Sequence, residues 1–168
     1  MSTAFGQLST DAEIAAFAES IELAVADTYE LAKPKLATAE VVAAADEYQK
    51  HHHQHAVAFA ATAGRAATGR ANPKLAEQLG ARVLAATGED ETMAVLFDAE
   101  NAMSSTYLAA LGAFESKAAR TLAASVLPIE GAHAAVFGLV IDRPTEAVFP
   151  IFETADRALD PDEYPVEE

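Results

Sequence analysis

The sequence predicts an all-α fold, and three observations support this prediction. Hydrophobic residues make up 51% of the 168 residues but aromatic residues only 7%, because much of the apolar fraction is alanine. Alanine is the strongest helix former, so this composition favours helices. Apolar residues recur at helical spacing in several segments, and one set of residues repeats after 78 positions. A duplicated helical hairpin is the simplest explanation of that repeat.

The repeat places acids, histidines and aromatic residues in one register. Chance spacing rarely aligns so many chemically distinctive residues, so we interpret the repeat as two hairpins that face each other across a pseudo-twofold axis. The aligned pairs are Glu22 and Glu100, Tyr29 and Tyr107, His52 and Glu130, His55 and His133, and Phe59 and Phe137.

The first hairpin is predicted from capping signals and apolar stripes. Residues 10–33 form the first helix, which begins with the capping-box pair Thr10 and Glu13 and ends before Pro34. The second helix covers residues 38–63 and carries its aromatic residues and two of its histidines on one face.

A short helix at residues 73–86 is expected to carry the chain across between the hairpins. Asn72 supplies its N-cap and is followed by a first-turn proline. The second hairpin then consists of helices at residues 89–114 and 116–139. Pro128 lies inside the last helix and removes one backbone donor, which predicts a kink there.

The chain divides into a helical bundle, residues 1–143, and an acidic, proline-rich C-terminal tail, residues 144–168. We expect the tail to wrap the surface and to end disordered. Three apolar residues of the tail are expected to pin it to the bundle or to a neighbouring subunit, namely Phe149, Ile151 and Phe152.

Composition excludes several classes of partner and site. The formal charge of −15 argues against nucleic acid, because phosphate repels such a surface. The absence of cysteine excludes disulfides and thiolate metal sites. No apolar run approaches the roughly 18–20 residues that span a membrane. The first residues also lack a secretory signal, so we expect a cytoplasmic protein that does not bind membranes.

Two glutamates are predicted to lie in the core. Glu100 falls in the middle of an apolar stripe that includes Met103, and Glu130 falls among Val126 and Phe137. An ionised carboxylate in apolar surroundings costs several kcal/mol unless something compensates it. Without a cation or a protein base, burial should raise the pKa of both glutamates. A bound metal ion would resolve this conflict, because bundle-core metal sites combine carboxylates with Glu-x-x-His.

These residues resemble the ferritin-like superfamily of di-iron carboxylate proteins. The resemblance rests on Glu22, Glu100 and Glu130-x-x-His133, with a tyrosine seven residues after each of the first two acids, and covers about residues 10–140. The chain is most similar to small bacterial ferritin-like domain proteins, with bacterioferritin and rubrerythrin as better-known relatives. The resemblance implies a ferritin-like four-helix bundle of two duplicated hairpins, joined by a crossover that contains the short helix.

The resemblance also implies roles for individual residues. Glu22 and Glu100 would be terminal carboxylates, His55 and His133 would each bind one metal ion, and Glu130 would bridge. The family pattern places a second bridging glutamate where this chain has His52.

His52 is therefore the departure from the family pattern. A neutral imidazole offers one lone pair to one cation, whereas a carboxylate offers two oxygens. One metal ion, or an unequal pair, is then more plausible than a symmetric pair. The residue pattern leaves three roles open for His52: a metal ligand, a hydrogen-bond partner of the ligands, or a core histidine filling a vacated site. We expect His51 and His53 to lie on a solvated helix face, and the two tyrosines to be core aromatics with satisfied hydroxyls.

The sequence thus predicts a metal-binding protein whose ligands are Glu22, His52, His55, Glu100, Glu130 and His133. The expected metal is iron, alternatively manganese or zinc, with one or two ions per chain. Reaction with oxygen or peroxide, as in a ferroxidase or a peroxidase-like oxidoreductase, is one hypothesis. The alternatives are a non-catalytic metal binder and an interaction bundle with a degenerate site. We expect a homo-oligomer, with a dimer favoured, and the sequence assigns no residue a catalytic role.

Overall fold

The computed structural model describes residues 5, 8, 10–148 and 155–166. Within these ranges the chain is all-α, without a strand, as the composition predicts. The helices are α1 (Asp11–Ala32), α2 (Ala39–Ala63), α3 (Pro73–Ala85), α4 (Glu89–Ala113), α5 (Lys117–Val140) and α6 (Thr145–Val148).

Helix α1 begins at the predicted capping box. The Glu13 amide donates to the Thr10 hydroxyl at 3.2 Å, and the Thr10 amide donates to the Glu13 carboxylate at 3.0 Å. These bonds satisfy two amides that would otherwise have no partner in the first turn. The helix ends at Ala32, one residue before the predicted end and two residues before Pro34.

The hairpins form by pairing of α1 with α2 and of α4 with α5, while α3 packs mainly on α1. Asn72 caps α3 as predicted, since its side-chain oxygen accepts from the Leu75 amide at 3.1 Å. The four long helices therefore form the predicted bundle, with α3 lying outside it on the crossover.

Close approach of α4 and α5 depends on Gly138. A β-carbon at this position would lie 2.7 Å from the Phe97 ring and 2.9 Å from Val148. Helix α5 stays helical through Pro128, and the kink expected there stays a prediction. The α4–α5 contact sets the distance between Glu100 and Glu130, so the glycine helps to define the interior of the bundle.

The described part of the C-terminal tail lies against the bundle. The Leu159 amide donates to the Thr106 hydroxyl at 2.9 Å, and the Asn72 side chain donates to the Tyr164 carbonyl at 2.9 Å. Residues 155–166 are thus tied to α4 and to the start of α3. The predicted pinning residues lie outside the described residues: Phe149, Ile151 and Phe152.

Helix α5 is long and apolar enough, by length and composition, to cross a membrane. An apolar stretch of this length was not expected from the sequence, and that expectation was wrong. A core helix meets the same criterion, and α5 places Glu130 and His133 in the bundle interior. Its outer face exposes Val136 and Leu139, while the predicted pairing into a dimer stays a prediction.

Replacing Gly138 should test the α4–α5 contact. Gly138→Ala is expected to destabilise the fold by about 1–3 kcal/mol, because the added methyl group would meet the Phe97 ring. Urea denaturation measures the free energy of unfolding. Gly112→Ala is the matched control, since it changes an exposed α4 glycine with no neighbouring atom within 4 Å. The control should be neutral or stabilising by up to about 1 kcal/mol, and equal effects at both positions would contradict the assigned contact.

Candidate metal centre

The fold brings all six predicted ligands into one buried cluster at the centre of the bundle. The three glutamates are fully buried, and His55 is the most exposed member at 9%. Two overlapping groups have donor atoms that all lie within 4.8 Å of one another. The first group is Glu22, His52, His55 and Glu130, and the second is His52, Glu100, Glu130 and His133.

His52 occupies the middle of the cluster. Its Nδ1 lies 2.6 Å from Glu22 Oε2, and its Nε2 lies 3.0 Å from Glu100 Oε1. One imidazole therefore links the two hairpins through both of its ring nitrogens. The three roles that the sequence leaves open for His52 are each compatible with these contacts and stay predictions. His52 belongs to both candidate ligand groups and is hydrogen-bonded to two of the other candidate ligands.

Glu130 is the member of the cluster whose charge is least compensated by hydrogen bonds. Neither of its buried oxygens has a hydrogen-bond partner, and neither has the Nδ1 atom of His55. These two groups lie only 2.8 Å apart, so they make a close contact without hydrogen-bond alignment. A buried polar group without a partner is costly. A cation in contact with both side chains would satisfy them, so the donor set fits a metal ion.

Two tyrosines connect the hairpins across the pseudo-twofold axis. The Tyr29 hydroxyl donates to Glu100 Oε1, and the Tyr107 hydroxyl donates to Glu22 Oε1. Burial raises the pKa of both phenols, and the neighbouring carboxylates raise it further. Both hydroxyls therefore keep their protons and remain donors. The prediction of core aromatics with satisfied hydroxyls is confirmed.

The glutamates differ in acidity despite their common burial. Burial would raise the pKa of Glu100, but His52 and His133 outweigh it and hold this pKa well below its usual range. Burial also opposes the lowered pKa of Glu22, where His52 and His55 prevail. Only Glu130 has a raised pKa, because burial is reinforced by the two other carboxylates. The rise expected without a cation or a protein base is thus found at Glu130, whereas at Glu100 the imidazoles act as such bases and lower the pKa.

His133 faces the carboxylates on one side and His51 on the other. Its Nδ1 lies 3.3 Å from Glu130 and 3.4 Å from Glu100, while its Nε2 lies 2.9 Å from His51 Nδ1. His53 is exposed, as expected. The expectation was wrong for His51, which turns towards the bundle and contacts a candidate ligand. The repeat does not predict this contact, because the residue equivalent to His51 in the second copy is the apolar Ile129. The contact depends on how α2 is rotated against α5.

Comparison with known sequences agrees with the fold and with the composition of the cluster. The sequence model of a family described as a ferritin-like domain matches residues 4–143. Searches of curated proteins and of solved structures find no significant match. The matched region includes all four long helices and all six residues of the buried cluster. We conclude that this chain belongs to the ferritin-like domain family.

Proposed function

We propose that this protein binds iron in the buried cluster and promotes the oxidation of ferrous iron by oxygen or peroxide. The observation that carries the proposal is the absence of hydrogen-bond partners on both Glu130 oxygens inside a cluster of carboxylates and imidazoles. The oxygens of Glu22 and Glu100 have hydrogen-bond partners, whereas Glu130 and His55 face each other at 2.8 Å without a hydrogen bond. A cation bound between them would satisfy both the Glu130 carboxylate and the His55 Nδ1 atom.

The ligand groups indicate how the residues divide between them. Glu22 and His55 belong only to the first group, and Glu100 and His133 only to the second. Glu130 belongs to both groups and offers two oxygens, so it is the natural bridging ligand. These roles agree with those that the family resemblance implies.

The number of metal ions depends on His52. Two divalent cations would carry four positive charges against three carboxylates, and a neutral imidazole provides one lone pair to one cation. We therefore propose one ion per chain, or two ions bound unequally. Carboxylate and imidazole donors suit iron, and manganese or zinc are the alternatives.

The protein residues around the metal have distinct tasks in this proposal. A bound iron ion would supply an open coordination position and an electron for the oxidant. Tyr29 and Tyr107 orient the terminal carboxylates by donating to Glu100 and Glu22. Burial of all three glutamates excludes water from the site, which strengthens their attraction for a cation.

A second candidate function is favoured by the contacts of His52. Its bonds to Glu22 and Glu100 show that imidazoles can partly compensate the carboxylates without a metal. A non-catalytic metal binder would share the same ligands without turnover, and an interaction bundle would not need a metal at all. Metal content combined with oxygen consumption distinguishes the three functions.

Removing the Glu130 carboxylate should strongly weaken metal binding. Glu130→Gln keeps the shape of the side chain but removes its charge and one acceptor, so bound iron should fall at least tenfold in protein purified without a tag. The measurements are elemental analysis and the absorbance that develops when anaerobically loaded ferrous protein meets oxygen. Glu115→Gln, at an exposed position, is the matched control and should bind like the wild type. Bound metal without oxygen consumption would favour the non-catalytic binder.

Metal affinity should rise with pH. Burial lowers the pKa of His55, but the Glu130 and Glu22 carboxylates outweigh it and raise this pKa to about 9. A histidine must be neutral to bind a metal ion, so metal binding below this pH displaces a proton from His55. The affinity for Mn²⁺, followed by the electron paramagnetic resonance of the free ion, should increase about tenfold per pH unit between pH 6 and 8 for each proton displaced. An affinity that does not change over this range would contradict His55 as a ligand.

Restoring the family's glutamate should increase the number of bound ions. His52→Glu replaces an imidazole by a second potential bridge, and the charge of four carboxylates then balances two divalent cations. Elemental analysis should find the metal count rising towards two per chain. Thermal unfolding of the metal-loaded and metal-free variant is the control for folding. A correctly folded variant with an unchanged count would contradict the role assigned to position 52.

A further inference from the structure

His51 contacts the candidate metal centre, although it is not one of the six candidate ligands. It lies on α2, next in sequence to His52, but its ring turns to α5 and meets His133. The rings of His51 and His133 lie edge to edge and nearly coplanar, with centroids 5.1 Å apart and an angle of 15° between their planes. Tyr48 stacks on a face of the His133 ring, with the two ring centres 3.9 Å apart. These contacts hold the His133 ring in one orientation.

The nitrogens of these rings form a directed chain from the surface to the centre. Glu47, which is exposed, lies 3.5 Å from the outward Nε2 of His51. A carboxylate at this position favours a proton on Nε2, which leaves the lone pair of His51 on Nδ1. That lone pair faces Nε2 of His133 at 2.9 Å and can accept a hydrogen bond from its N–H.

The consequence falls on the inner nitrogen of His133. A neutral imidazole carries one N–H, so a proton held on Nε2 leaves a lone pair on Nδ1. Nδ1 faces the Glu100 and Glu130 carboxylates, which only accept hydrogen bonds, so its lone pair becomes available when a metal ion replaces the Nδ1 proton. Metal-binding histidines usually donate their other N–H to an acceptor that fixes tautomer and ring orientation. Here the acceptor is a second histidine.

The opposite half of the centre lacks this support. The positions that correspond to Tyr48 and His51 in the second copy of the repeat are Val126 and Ile129. Neither side chain can stack as a ring or accept a hydrogen bond. His55, the counterpart of His133, is also the more exposed of the two histidines. The two halves are therefore unequal in the rigidity of their histidine ligands.

We propose that His51 is a positioning residue for His133: by accepting a hydrogen bond from its Nε2–H, His51 presents Nδ1 to the metal and makes the His133 half-site the tighter one. This inference rests on the proposed function, since it concerns the same centre. It adds an order of binding, in which the first cation occupies the half formed by Glu100, Glu130 and His133.

The test compares three variants of untagged protein titrated with Zn²⁺. His51→Leu removes the acceptor, and the affinity for the first Zn²⁺ should fall 10- to 100-fold. His51→Asn restores an acceptor close to the position of Nδ1 and should recover most of that loss. His53→Asn, at the exposed neighbouring position, is the matched control and should bind like the wild type.

Nitrogen magnetic resonance of the histidine rings gives a readout that a packing role alone would not change. With Zn²⁺ bound at Nδ1, the wild type should show His133 protonated at Nε2. His51→Leu should lose the hydrogen-bonded Nε2–H signal of this zinc-bound state, and His51→Asn should restore it. Unchanged affinity and tautomer in His51→Leu, or no rescue by asparagine, would overturn this proposal alone. A wild type that binds no metal would overturn the proposed function as well.

Discussion

The central constraint on this molecule is the charge of three carboxylates in a core that excludes water. Glu22, Glu100 and Glu130 are fully buried where the two hairpins meet, and the surrounding histidines compensate them unequally. Glu22 and Glu100 each lie within hydrogen-bond distance of a tyrosine hydroxyl and of His52. Their pKa values are lowered by His52, together with His55 at Glu22 and His133 at Glu100. Neither buried oxygen of Glu130 has a hydrogen-bond partner, and burial raises its pKa. The carboxylate without a hydrogen bond is therefore one of the two residues, with His52, that both ligand groups share.

Duplication explains the architecture, and the departures from symmetry explain its individual chemistry. Each tyrosine bonds the acid of the opposite hairpin, so the hairpins are linked by two equivalent interactions across the axis. The symmetry ends at position 52, where an imidazole faces Glu130 of the other copy. It also ends at His51 and Tyr48, which support His133 but have no polar or aromatic counterparts. The proposed inequality of the two half-sites rests on these departures from symmetry.

His52, at the position where the family pattern has a glutamate, bonds to two of the candidate ligands. A neutral imidazole cannot bridge two cations, because it offers only one lone pair. In the structure the His52 ring instead lies between Glu22 and Glu100 and bonds to both carboxylates. A metal ion that binds Glu22 or Glu100 must compete with this ring for their oxygens. In the proposed function, the histidine at position 52 is therefore expected to affect the affinity of the centre as well as the number of ions it holds.

The sequence by itself determined the all-α class, the six residues of the cluster and the tyrosine pairs, because helical periodicity and a repeat of constant offset are local properties. The capping box at Thr10 and the N-cap at Asn72 followed from local chemistry in the same way. Only the tertiary structure decided the lowered pKa of Glu100, the contact of His51 with His133 and the attachment of residues 155–166. Each of these depends on how one helix is rotated and packed against another, and no residue spacing within a single helix contains that information.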